Sequence, residues 1–102
     1  MERRSKLRIY EPFPVVIRGV DACGAEFKTA TVIDNLSASG LYVRLARSLE
    51  PGTELAFTIQ LSILRGAGRI QPRVRAHGVV VRAELNGSEY GVGVRFTRHR
   101  LL

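Results

Sequence analysis

Period-two alternation runs through almost the whole chain and limits what it can fold into, because successive side chains of a strand point to opposite faces. Leu41, Val43 and Leu45 alternate with Tyr42, Arg44 and Ala46, and Leu55, Phe57, Ile59, Leu61 and Ile63 alternate with Ala56, Thr58, Gln60 and Ser62. Each run predicts a strand with one buried face. Phe13, Val15 and Ile17, then Phe27, Thr29, Thr31 and Ile33, predict two more strands, separated by the turn-forming Asp21-Ala22-Cys23-Gly24. Asn86-Gly87 lies between Val79-Val80-Val81-Arg82 and Tyr90-Gly91-Val92-Gly93-Val94-Arg95-Phe96, and predicts a type I′ hairpin turn with positive φ at both of its residues. Pro51-Gly52 marks another turn and Gly66-Ala67-Gly68 a flexible loop. Pro72 and Gly78 interrupt the long fifth strand, so an edge position or a bulge is expected there. Helix signals are nearly absent. Six short strands with turns at this spacing predict an all-β fold, a small antiparallel barrel or sandwich.

At 102 residues, 45% of them hydrophobic, the chain has material for one core, since domains cluster near about 100 to 150 residues. Residues 1–12 lack alternation and carry Arg3, Arg4, Lys6 and Arg8. They are expected to form a basic arm outside a barrel of residues 13–97, with residues 98–102 as a short basic tail. No apolar run approaches the roughly 20 residues needed to span a bilayer, and no signal-like segment follows the N-terminus, so membrane insertion is not expected and the cytoplasm is the expected compartment. Cys23 is the single cysteine, so no internal disulfide can form. With His77 and His99 it cannot complete a four-ligand structural zinc site.

The residues offer little to an enzyme. His77 sits in a strand and His99 in the Arg98-His99-Arg100 tail, neither beside a recognisable catalytic partner. The carboxylates form no acid/base pair, and Gly91-Val92-Gly93 lacks the strand-to-helix context of a dinucleotide fold. It reads instead as a strand with a bare, closely approached face. The charge says more. Sixteen basic residues, fourteen of them Arg, against nine acidic give a net charge of +7. The planar guanidinium fork favours phosphate or guanine recognition.

Two segments carry binding chemistry. Asn35-Leu36-Ser37-Ala38-Ser39-Gly40 interrupts the alternation: an Asn carbonyl can accept from guanine N1 and N2 hydrogens, a Ser hydroxyl donates and accepts, and Gly lets backbone approach a flat ligand. The same residue types also build an ordinary polar turn. Arg4-Ser5-Lys6-Leu7-Arg8 places two guanidinium groups just ahead of the first strand, where each can pair with guanine O6 and N7, bond phosphate or stack over a purine.

Arg4-x-x-x-Arg8 followed by Asn35-x-Ser37-x-x-Gly40 resembles the PilZ domain, a bacterial receptor module for cyclic di-GMP. Gly91-Val92-Gly93-Val94-Arg95-Phe96 is similar to that family's last barrel strand. The resemblance implies a six-stranded antiparallel split barrel that binds cyclic di-GMP on its outer surface. Arg4 and Arg8 would take guanine edges and phosphates, while Asn35, Ser37 and Gly40 hold the other guanine. Asp34, outside the motif position, would point away from the site or support its backbone. Arg3 gives the Arg-Arg-x-x-x-Arg variant associated with a stacked ligand dimer. The family commonly adds a helix after the last strand, here short or absent. No enzyme activity and no cofactor are expected; cyclic di-GMP is the expected ligand, and a downstream protein or fused domain the expected recipient of the signal. Two alternatives remain: a nonspecific nucleic-acid-binding small barrel, and a PilZ-like protein-binding adaptor without nucleotide. Single-strand binders place several aromatics on an open sheet face. Here Phe13, Phe27, Phe57, Tyr90 and Phe96 are in core-facing register, with Tyr10 and Tyr42 unassigned, which disfavours nucleic acid.

Overall fold

The computed structural model describes residues 13–61, 63–65 and 68–101. The arm carrying Arg3, Arg4, Arg8 and Tyr10 lies outside them. All regular structure among the described residues is strand: β1 (Phe13–Val20), β2 (Glu26–Leu36), β3 (Gly40–Leu45), β4 (Glu54–Gln60), β5 (Ile63–Arg65), β6 (Gly68–Ile70), β7 (Arg73–Asn86) and β8 (Glu89–Leu101). Six of them close an antiparallel barrel in the order β1-β2-β3-β8-β7-β4, and β5 pairs with β6 as a separate hairpin. Closure leaves no open edge, which is how a small all-β chain avoids templating its neighbours.

The alternation read in the sequence fills the barrel. Val15, Ile17, Ile33, Val43, Leu55, Phe57, Ile59, Val80 and Val92 are almost completely buried. Phe13 and Phe27 join them, Tyr90 and Phe96 pack against the same core from partly buried positions, and the Phe57 and Phe96 rings meet edge to face at 6.4 Å. No helix among the described residues is long and apolar enough to cross a membrane.

Several local expectations change. The run from Leu55 to Ile63 is not one strand. Proline cannot donate to a ladder, so β7 begins at Arg73, opposite Gln60. The Leu61 amide closes on the Pro72 carbonyl at 2.9 Å, and the chain then leaves the barrel into the β5–β6 hairpin, whose second strand starts at Gly68. The Asn86-Gly87 turn shifts by one residue. Asn86 pairs with Glu89, leaving Gly87-Ser88 as the two-residue loop. Only glycines have positive φ among the described residues, Gly87 at 65°, which matches a turn with glycine at its first central position. Residues 98–101 are not separate from the barrel, because β8 continues to Leu101, paired with Val74. β7 has a neighbour on each side and is no edge, but the expected irregularity at Gly78 is present as a register shift between His77 and Gly78.

Three such irregularities decide which side chains face outward. A bulge puts two residues opposite one and re-aims the side chains beyond it. In β2 the register shifts between Ile33 and Asn35; both Ile33 and Leu36 are therefore buried, and Asn35 is brought opposite Tyr42. In β7 it shifts between Val80 and Arg82, leaving Val81 exposed and setting Arg82 opposite Gly93. In β8 the shift at His77/Gly78 leaves Thr97 as the extra residue, and its hydroxyl donates to the His77 carbonyl at 3.1 Å.

The Asp21 turn adds a pH-dependent element. The Asp21 carboxylate accepts from the Ala25 and Cys23 amides at 3.0 and 2.9 Å and from Arg47 at 3.0 Å, while the Arg47 guanidinium lies 4.5 Å over the Phe27 ring. The Ala25 amide, then the Cys23 amide and Arg47, hold the carboxyl below its ordinary pKa against an opposing effect of desolvation. A carboxyl with a lowered folded pKa stabilises the fold above its unfolded value, and that contribution disappears as pH falls through the folded value. Wild type is therefore expected to exceed Asp21→Asn in stability at neutral pH, with the gap closing below about pH 4, as measured by urea unfolding across pH. A constant gap would place the effect outside the carboxylate's charge.

Candidate functional site

The end of β2, the loop of residues 37–39 and the start of β3 form a braced corner. Within it, the Ser37 amide donates to the Gly40 carbonyl at 3.0 Å, the Ser37 and Ser39 hydroxyls are 3.1 Å apart, and the Ser39 amide reaches the Ser37 hydroxyl at 3.3 Å. A further bond ties the corner to the neighbouring strand, from the Phe96 amide to the Ser39 carbonyl at 2.9 Å. Gly40 lies opposite Arg95, and a Cβ there would fall onto the Val94 carbonyl. Its φ is not positive, so the demand is for space between β3 and β8. The sequence suggested close approach to a flat ligand; the close approach here is to the backbone of β8.

This corner rims an open depression of about 380 Å³ lined by Asn35, Ser37, Ser39, Tyr42, Arg82, Arg95 and neighbouring backbone. Tyr42, Gly93 and Arg82 form one line across β3, β8 and β7. A Cβ at Gly91 would strike the Tyr42 hydroxyl, so the phenol lies along β8, while Gly93, between Tyr42 and Arg82, is itself buried, with the Arg82 and Val81 side chains packed over the place its Cβ would take. The rim supplies donors and acceptors from Asn35, Ser37, Ser39, Tyr42, Arg82 and Arg95.

Charge is available there. The described ion pairs engage Arg44 with Asp34 and Arg47 with Asp21, and Arg82 and Arg95 enter neither. Asp34 accepts from Arg44 at 2.8 and 3.2 Å and does not line the depression. Asp34→Asn is accordingly expected to leave affinity for a ligand of the depression within about twofold of wild type, since an exposed pair is worth little; a large loss in calorimetric titration would bring Asp34 into the site.

Of the residues singled out in the sequence, the structure brings Asn35, Ser37 and Gly40 to one corner. Arg82 and Arg95 were missed. Arg82 looked like one more strand residue, because the bulge at Val81 that re-aims it leaves no sign in an all-apolar Val79-Val80-Val81 run. Among the described residues no cluster of His, Cys, Asp or Glu could hold a metal, and Cys23 is exposed in its turn.

Comparison with known proteins agrees with the barrel fold. The PilZ domain family model matches residues 2–101, and no curated protein matches the chain. Among solved structures, the inhibitor of motility MotI/DgrA from Bacillus subtilis superposes with a TM-score of 0.73 at 22% identity, over 96% of this chain and 44% of that protein. The complex of MrkH from K. pneumonia with c-di-GMP superposes with a TM-score of 0.56 at 16% identity, over 96% of this chain and 46% of that one. The chain thus spans less than half the length of either protein.

Proposed function

Because the chain belongs to the PilZ domain family, a family that binds cyclic di-GMP, we propose that it is a bacterial, cytoplasmic, non-catalytic receptor for this dinucleotide. The observation that carries the reading is the placement of Asn35 and Ser37 on the rim of a depression that also holds Arg82 and Arg95. Asn35 and Ser37 offer acceptors to a guanine edge, Gly40 sets the strand approach that fixes their loop, and Arg82 and Arg95 neutralise phosphate. Arg4 and Arg8 on the arm supply guanidinium forks to a guanine edge and phosphates. Arg3 adds a contact to a second, stacked nucleotide, giving two ligands per chain; a saturating stoichiometry of one removes that role.

The braced corner forms a site half that exists before ligand arrives, and the arm closes on it. Fixing each arm residue costs about 1 to 2 kcal/mol of backbone entropy, offset by arginine contacts, and the closed arm presents a surface that a downstream protein or fused domain can read. Amide exchange over residues 1–12 is expected to slow on adding cyclic di-GMP, with little change from Glu54 to Gln60. Equal protection with and without ligand would place the switch elsewhere.

Calorimetric titration tests the ligand itself. Cyclic di-GMP is expected to bind and cyclic di-AMP to bind far more weakly, because adenine presents an amino donor where guanine presents O6 to an arginine fork. Equal binding of both, or of a short oligonucleotide, would favour a general polyanion surface; binding of none would favour an adaptor without nucleotide.

A further inference from the structure

A second recess of about 1020 Å³ opens across β1, β2, β4, β7 and β8, away from the Asn35–Gly40 corner. Strand register explains its chemistry. Lys28 stands opposite Arg18, Arg18 opposite Ala56, Ala56 opposite His77, and His77 opposite Arg98. These five residues form one line across five strands, about 19 Å long at the usual strand spacing, and all five line the recess. Ala56, at its centre, leaves the line open to a ligand.

The line is costly to the fold. Like charges directly opposite in an antiparallel pair destabilise it, yet Arg18 faces Lys28 and neither enters a described ion pair. Arg98 makes only a long bond, Nε donating to Nδ1 of His77 at 3.4 Å. The adjacent line has different chemistry: Val20 opposite Glu26, and Val79 opposite Glu54, with Val20 exposed. A phosphate backbone laid along Lys28, Arg18 and Arg98 would set nothing apolar against Val20 and Val79. A peptide that carries carboxylates at one position and apolar side chains at the next matches both lines.

We propose that this recess docks an acidic, partly apolar segment of a partner protein. The inference stands apart from the nucleotide reading, since the two recesses share no lining residue. The test uses the whole chain without nucleotide and a fluorescein-labelled Glu-Val repeat peptide, followed by fluorescence anisotropy. Arg18→Glu is the informative variant, because it places opposite charges across from each other at Lys28 and so should fold at least as well as wild type, as checked by thermal unfolding. Peptide affinity is expected to fall at least about tenfold in Arg18→Glu, a like-charge contact being strongly unfavourable at an interface, and to stay unchanged in Arg73→Glu, an exposed residue outside the recess. The Gln-Val counterpart and an oligodeoxythymidine of equal charge are expected to bind far less well. Overturning results are no binding of the Glu-Val peptide, undiminished binding to Arg18→Glu, equal loss in Arg73→Glu, or oligonucleotide or Gln-Val binding as tight as that of the peptide.

Discussion

Replacing Arg4 and Arg8 together with alanine is expected to remove most cyclic di-GMP binding while leaving the unfolding temperature unchanged. Both lie in the basic segment ahead of the alternating strand pattern, and the unfolding temperature is the control that separates lost contacts to the ligand from lost stability. Each is proposed to make charge-assisted, bidentate contacts, and losing one costs about 1 to 3 kcal/mol, or roughly 5- to 150-fold in affinity. Where the two act independently the penalties multiply. Arg82 and Arg95 would remain to attract phosphate, so residual binding should be weak, strongly salt-dependent and indifferent to base identity. Calorimetry on the double variant with cyclic di-GMP and cyclic di-AMP measures both quantities. Affinity within about fivefold of wild type, with guanine preference retained, would remove the arm from the site and leave the corner and its two strand arginines to carry recognition.

The parts of the molecule legible in the sequence are those where one physical demand acts alone. Alternation reports burial on one face, so the inward residues of β1, β3 and β4, with Phe27 and Ile33 of β2, could be read directly. The Asn35-x-Ser37-x-x-Gly40 spacing was legible because its residue types are turn formers inside a strand pattern. What escaped were places where two strands negotiate register. The extra residue of a bulge can be any type, and Asp34 and Val81 share no chemistry, so nothing marked the sites at which Asn35 and Arg82 are re-aimed, whereas Gly78 did mark the irregularity opposite Thr97. The break after Gln60 was hidden for a related reason: Leu61 and Ile63 continue the alternation, and only the missing donor of Pro72 on the partner strand ends the ladder. The line of Lys28, Arg18, Ala56, His77 and Arg98 is likewise invisible until four separate pairings are known, since its residues are scattered along the chain from Arg18 to Arg98.

Gly40→Ala is expected to damage stability and binding together, in contrast to the arm variant. The added Cβ would meet the carbonyl of Val94 and approach the Arg95 Cα at 3.3 Å. These are backbone atoms held in ladders on both sides of β8, so they cannot step aside as a flexible side-chain tip could. Relief requires β3 to move away from β8. Overpacking typically costs about 1 to 3 kcal/mol, and with backbone as the obstacle the upper end is expected, roughly a 12 to 24 °C fall in unfolding temperature for a domain of this size. The same movement strains the bond from the Phe96 amide to the Ser39 carbonyl and the closure of the Ser37 amide on Gly40. The corner then loses its brace, and Asn35 and Ser37 lose their fixed relation to Arg82 and Arg95. Thermal unfolding and calorimetry on one preparation separate the contributions, with cyclic di-GMP affinity read well below the lowered midpoint. A stable variant that fails to bind would mean that Gly40 contacts the ligand directly. A destabilised variant that binds normally would show that the corner need not be rigid. A fall in both is the outcome expected of a glycine whose place is fixed by the strand behind it.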